Sequence, residues 1–179
     1  IGDSTFIHSG ITGLIDIVYN KGNATVIILD NSITGMTGHQ QNPATGYTIR
    51  NEKTTAVDLV KLAEAVGVKR VRVEDPFDMK AFRAAVKEEL AAHEPSVIIA
   101  QRPCALLKTV SYGAPVEIDA ARCKKCGSCM RLGCPAIYKE AEAYHIDHSL
   151  CVGCGLCKQM CAFGAIQKPG EEEQIGGTP

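Results

Sequence analysis

Eight of the nine cysteines fall into two consecutive runs of one pattern. Cys123, Cys126 and Cys129 stand at two-residue intervals, with Cys134 and Pro135 closing the run; Cys151, Cys154 and Cys157 repeat the spacing, closed by Cys161. A loop this tight turns its thiolates inward, so three of them can hold three corners of an iron–sulfur cube while a fourth comes from further along the chain. Structural zinc also takes Cys-x-x-Cys pairs, but it needs four ligands per site and does not call for a third cysteine two residues on. A disulfide framework suits small secreted chains, and nothing in this sequence resembles a signal peptide. The spacing favours iron–sulfur, and with it the movement of electrons one at a time.

Where two such runs share a domain, the closing cysteine of each ligates the other cluster. This assigns Cys123, Cys126, Cys129 and Cys161 to one [4Fe–4S] cluster, and Cys151, Cys154, Cys157 and Cys134 to a second. The first run closes after four residues instead of three, and only its closing cysteine is followed by proline. The extra residue is expected to bulge a loop without changing the ligand set. Cys104 stands alone after an apolar run, as a buried structural thiol would. His145 and His148 flank the second run and read as loop residues shaping the surroundings of a cluster, not as ligands.

The rest of the chain must position these groups. Its 19 basic and 20 acidic residues leave a net charge of −1, which gives no global field for nucleic acid. No apolar stretch is long enough to span a bilayer, and the composition fits a cytoplasmic redox protein. The sequence opens on Ile1-Gly2-Asp3, a strand-to-loop junction without an initiating Met, as expected of a segment of a longer polypeptide.

Residues 1–112 read as α/β. Residues 25–29 form a β-branched run suited to a strand buried on both faces of a parallel sheet. Residues 56–65 show helical spacing and end at Gly67, a C-cap candidate. Residues 70–73 predict a second strand, Asp78 caps a helix to about His93, and residues 96–100 predict a third strand. Strands alternating with helices imply βαβ crossovers. Residues 113–168 are dense in cysteine and glycine and contain the internal repeat, so they predict a small ferredoxin-like α+β domain with two [4Fe–4S] clusters. Its apolar core is too small to stand alone, and cluster ligation must supply much of its stability. Residues 169–179 predict a flexible tail.

Ligands of open parallel sheets bind at the carboxyl ends of strands. Two stretches sit at such ends: Gly2-Asp3-Ser4, and the run from Asp30 and Asn31 to Gln40. A carboxylate from one loop and an amide oxygen from the next can together hold Mg²⁺, with water and phosphates completing the octahedron. The glycines and hydroxyls after Asn31 let backbone N–H groups approach those phosphates.

Asp3 followed by Asn31 resembles the thiamine-diphosphate signature, and residues 34–40 resemble the loop after the metal-binding asparagine in 2-oxoacid:ferredoxin oxidoreductases. The phrases at residues 2–10 and 30–40, and the four-residue gap before Cys134, are most similar to alpha subunits of the indolepyruvate-oxidising branch of that family. The resemblance runs to about residue 168 with the domains in the same order. It implies a partial thiamine-diphosphate-binding domain followed by the two-cluster domain. It further implies that Asp3, Asn31 and the carbonyl of Ile33 ligate Mg²⁺, and that Ser4, Thr5, Thr37 and Gly38 lie near the diphosphate. His8 and His39 could touch diphosphate or substrate, or be hydrogen-bonded structural histidines.

The activity the resemblance implies is oxidative decarboxylation of an aryl 2-oxo acid, indolepyruvate, with coenzyme A. Thiamine serves as electron sink and each cluster accepts one electron, for delivery to an external ferredoxin. Its expected partners are a beta subunit and a second alpha chain, because such enzymes bind thiamine between two domains, an acidic residue of the other domain activating the aminopyrimidine, and no such partner domain is found in this chain. Two other readings stay open: an electron-transfer module without its own catalysis, and a related enzyme for pyruvate or another 2-oxo acid.

Overall fold

The structure, a computed structural model, describes residues 1–170. The tail expected at 169–179 lies outside the described residues from 171 onward. The chain forms two compact units, Ile1–Leu107 and a second that begins at Lys108.

The first unit is α/β. A short turn α1 (Asp3–Thr5) runs through a π-helical turn (Phe6–Gly10) into α2 (Ile11–Tyr19). Strand β1 (Thr25–Asp30) follows, then α3 (Leu59–Ala65), β2 (Arg70–Glu74), α4 (Met79–Leu90) and β3 (Ser96–Gln101). The three strands pair in parallel in the order β1-β3-β2. Central β3 is buried along five of its six residues, the pattern its unbroken Ser96-Val97-Ile98-Ile99-Ala100 run predicts. Outside β1, Gly2 bridges Leu29 in parallel and the Leu29 N–H donates to Ile1 O at 2.8 Å, so the residues before Asp3 run beside β1. Phe6, Leu14, Ile28, Leu59, Ala63, Val97 and Ile99 close the core.

Three expectations change. The helix over residues 3–19 was not anticipated, because the π turn breaks its 3.6-residue period. Helix α3 starts at Leu59 instead of residue 56, because the Asp58 carboxylate accepts the N–H groups of Val60 (3.0 Å) and Lys61 (3.1 Å). Helix α4 has the expected Asp78 cap, with Ala81 N donating to its carboxylate at 3.0 Å, but it stops at Leu90. Arg70 ties β2 to α4 by donating twice to buried Glu89, at 2.7 and 3.0 Å.

The second unit is a small ferredoxin-like fold. Strand β4 (Glu117–Ile118) pairs antiparallel with β7 (Ile166–Gln167), and β5 (Ile137–Glu140) with β6 (Ala143–Ile146). Each cysteine run winds into a short helix: a 3₁₀ turn at Ser128–Leu132 in the first and α5 (Leu156–Met160) in the second. Val116, Ile137, Cys157 and Ile166 form the buried core, with four other cluster-run cysteines, Cys129, Cys134, Cys151 and Cys161, packed around them. Among the described residues, no helix is long and apolar enough to cross a membrane.

Candidate functional site

The first candidate site lies where the chain leaves the sheet at Asp3 and at Asp30-Asn31. The Asp3 carboxylate is buried, and burial raises its pKa above the usual carboxylate range. The Ser4 N–H and the Asn42 amide oppose that rise, while the charge of Asp30 adds to it. Asn42 is the residue the sequence did not reveal. Buried itself, it donates from Nδ2 to Asp3 Oδ2 at 3.0 Å, with Thr34 Oγ1 at 3.5 Å, and its Oδ1 accepts from Ala44 N at 2.9 Å. It thus ties Asp3 to the base of the loop that follows Asn31.

Asn31 is half-buried, and its Oδ1 accepts the N–H of buried Ile33 at 3.3 Å. Asp30 is buried, accepts from Ser32 N at 2.9 Å and from Gln101 Nε2 at 2.8 Å, and is thereby held beside β3. The first N–H groups of residues 3–5 precede the first helical hydrogen bond, Phe6 N to Gly2 O at 2.8 Å, so Ser4 and Thr5 offer donors at a helix start. Thr37 and Gly38 sit at the exposed tip of a loop closed by the Thr34–Gln40 bridge, and Thr37 Oγ1 donates to Gln40 Oε1 at 2.5 Å. Among the described residues no hydrogen bond joins that tip to Asp3. His8, on the π turn, and His39, at φ 64°, are both exposed.

Cys123, Cys126, Cys129 and Cys161 line one cavity together with Tyr144, Phe163 and Ile166. Burial raises the Cys129 thiol, and the neighbouring charges of Cys123 and Cys161 raise it further. Cys157 is pushed up to about 11, first by burial and then by Cys154, Cys151 and Cys134. Cys126 is exposed and lowered by the hydroxyl and N–H of Ser128, whose Oγ lies 3.4 Å from Sγ. Ala165 N donates to Cys161 Sγ at 3.3 Å. Among the described residues, no three His, Cys, Asp or Glu side chains converge as a single bound ion would require.

The two loops share their backbone. The residues on either side of the middle cysteine are left-handed in both copies, Lys125 (φ 54°) and Gly127 (φ 72°) around Cys126, Gly153 (φ 73°) and Gly155 (φ 75°) around Cys154. Such turns aim successive N–H groups into a concavity that suits an anionic group. The first run winds as a 3₁₀ turn over Ser128–Leu132 and turns at left-handed Gly133, φ 70°, just before Cys134. Two side residues differ from expectation. Cys104 is half-exposed, because its segment caps the strand ends through Cys104 N donating to Asn31 O at 2.9 Å. His145 lies in β6, stacked on Tyr138 at 5.4 Å, while His148 Nε2 is 3.8 Å from Glu117.

Residues 1–100 match the family described as thiamine pyrophosphate enzyme, C-terminal TPP binding domain. The chain belongs to the thiamine pyrophosphate enzymes. Residues 144–167 match a 4Fe-4S binding domain, which contains the second cysteine run. The chain is 37% identical to indolepyruvate oxidoreductase subunit IorA of Pyrococcus horikoshii, over 97% of this chain and 28% of that protein. It is 39% identical to the subunit of the same name from Archaeoglobus fulgidus, over 93% of this chain and 28% of the other. The Methanothermobacter marburgensis subunit is 36% identical over 96% of this chain. The chain therefore spans about 28% of the length of these curated relatives. The donor sets suit the groups the family and domain imply: carboxylate and amide oxygens for a hard cation, grouped thiols for iron–sulfur.

Proposed function

We propose that this chain contributes a thiamine-diphosphate site and two [4Fe–4S] clusters to a 2-oxoacid:ferredoxin oxidoreductase. The reaction is oxidative decarboxylation of an aryl 2-oxo acid, indolepyruvate, with coenzyme A to the acyl-CoA and CO₂. The observation that carries this reading is one chain that joins a thiamine pyrophosphate-binding unit to two cysteine runs, the second within a 4Fe-4S binding domain match, similar across nearly its whole length to subunits named indolepyruvate oxidoreductase.

Asp3, the Asn31 amide oxygen and the Ile33 carbonyl would hold Mg²⁺; Ser4, Thr5, Thr37 and Gly38 would receive the diphosphate. Bound thiamine supplies an electron sink for loss of CO₂. Asn42 donates to buried Asp3 and so orients its carboxylate for the cation, and helix-start N–H groups would offset phosphate charge. Cys123, Cys126, Cys129 and Cys161 would hold one cluster, and Cys134, Cys151, Cys154 and Cys157 the other. Two electrons leave each substrate, one to each cluster, and pass on to a ferredoxin. A beta subunit and a second alpha chain complete the site, and cysteines used as cluster ligands instead of disulfides fit a cytoplasmic setting.

The test is anaerobic turnover by the complete complex, reading viologen or ferredoxin reduction with coenzyme A and a panel of indolepyruvate, phenylpyruvate, pyruvate and 2-oxoglutarate. Preference for the aryl acids is expected. Preference for pyruvate or 2-oxoglutarate would overturn the substrate assignment, and turnover independent of thiamine diphosphate would overturn the whole reading.

A further inference from the structure

The two cysteine loops have one backbone but opposite settings. In the second, the residue before the middle cysteine is buried Gly153, whose ideal Cβ would lie 2.5 Å from Ala114 O and 2.7 Å from Gly113 O. That loop is roofed by backbone, and Cys157 behind it belongs to the buried core. In the first loop the equivalent residue is Lys125, exposed and at φ 54°, next to exposed Lys124 and exposed Cys126. Residues 119–142 carry Arg122, Lys124, Lys125, Arg131 and Lys139 against Asp119, Glu140 and Glu142. Arg122 pairs with Asp119 at 3.3 Å and Lys139 with Glu142 at 3.7 Å, so the positive surplus falls at Lys124, Lys125 and Arg131. The second loop, residues 147–161, carries only Asp147 and Lys158. Exposed Phe163 lines the same cavity as Lys124 and the four first-set cysteines, and Met130 is 39% exposed on the adjoining 3₁₀ turn. A small apolar centre beside a surplus of positive charge is the composition of a transient electron-transfer contact, where charge sets the encounter rate.

We propose that the cluster of the first run is the electron exit, and that Lys124, Lys125 and Arg131 receive the acidic face of a small iron–sulfur carrier protein. The inference rests on the two-cluster reading above. In the step, one electron leaves the reduced cluster, which returns to its oxidised form, and the carrier's cluster is reduced by one; no proton or bond changes place. The second-run cluster, roofed and apolar, passes its electron through the first. A lysine held in the left-handed region, where glycine is favoured, is consistent with a charge needed at that spot. Its counterpart Gly153 is glycine for a local reason, the approach of residues 113 and 114.

The experiment uses the complete complex reduced anaerobically by dithionite, mixed by stopped flow with an acidic ferredoxin, so no 2-oxo acid is involved. The double variant Lys124→Gln/Lys125→Gln should lower the second-order rate constant about tenfold at low ionic strength and flatten its salt dependence. Viologen reduction and the midpoint potentials of both clusters, read by EPR, should stay as in the parent. Lys80→Gln, an exposed charge on α4, should change nothing. An unchanged ferredoxin rate would overturn the proposal. So would a parallel fall in viologen reduction or a shifted potential, since the lysines would then tune the cluster instead of meeting a partner. Iron content of only one cluster per chain would sink the two-cluster reading itself, a result separate from either.

Discussion

Gly153→Ala should remove the second-run cluster, and the size of the effect can be worked from two terms. At φ 73° an L side chain costs about 1–2 kcal/mol. The new Cβ would also sit 2.5 Å and 2.7 Å from the carbonyl oxygens of Ala114 and Gly113, where ordinary contact begins at 3.4 Å. Backbone must therefore yield by roughly 0.7–0.9 Å, and overpacking of this kind costs about 1–3 kcal/mol. The total is about 2–5 kcal/mol, concentrated in a unit whose buried core is four residues. Gly155→Ala isolates the first term, because φ is 75° but the nearest atom to its Cβ is a Lys158 methylene carbon at 3.7 Å. Lys125→Gly removes strain and adds no contact. The assay is iron and sulfide content per chain with anaerobic melting of the complete protein. Gly153→Ala should lose about half its cluster iron. Gly155→Ala should keep it and melt several degrees lower, at about 4–8 °C per kcal/mol for a unit this small. Full iron in Gly153→Ala, with a melt no lower than that of Gly155→Ala, would refute the steric reasoning.

Three further outcomes are expected. Asn42→Ala should weaken Mg²⁺-dependent thiamine diphosphate binding about 5- to 30-fold, as loss of one hydrogen bond to a buried carboxylate implies, with cluster content unchanged; calorimetric titration reads it. Binding should also weaken with acidification: burial raises the Asp3 pKa above 3.8, and its carboxylate protonates as pH falls through that raised value. Arg70→Ala removes the nearer partner of Glu89, whose pKa is lowered chiefly by its Arg70 hydrogen bond, and leaves Arg72 Nη1 at 3.5 Å. The stability Glu89 supplies is present above its unfolded value of 4.5 and lost as pH falls through the lower folded one, so denaturation of this variant should be easier at neutral pH and less acid-dependent than that of the parent.

Much of the fold was legible because its signals are local. The β-branched runs before Leu29 and Ala100 announced parallel strands, buried along β3 as expected but in β1 only at Ile28 and Asp30, with Leu29 exposed; Asp78 announced the start of α4. The helix over residues 3–19 was hidden by its π turn, where Gly10 leaves room for Ile1 and Phe6: a Cβ there would meet Ile1 Cδ1 at 2.7 Å. Asn42 stayed hidden for another reason. Followed by Pro43 it reads as a turn residue, and the carboxylate it aims lies 39 positions away. The asymmetry of the two cysteine loops was half legible: Lys124 and Lys125 are visible in sequence, but the roof over Gly153 depends on residues 113 and 114 folding back.

The central claim is that one chain connects a thiamine diphosphate site to two clusters, and a freeze-quench experiment tests it most directly. The complete complex, held anaerobically with thiamine diphosphate, Mg²⁺ and coenzyme A but no acceptor, is mixed with indolepyruvate and frozen for EPR. The account predicts two reduced [4Fe–4S] signals whose combined spin approaches two per chain, with the cofactor-free complex silent. Clusters that dithionite reduces but the 2-oxo acid leaves oxidised, with thiamine diphosphate bound, would contradict it.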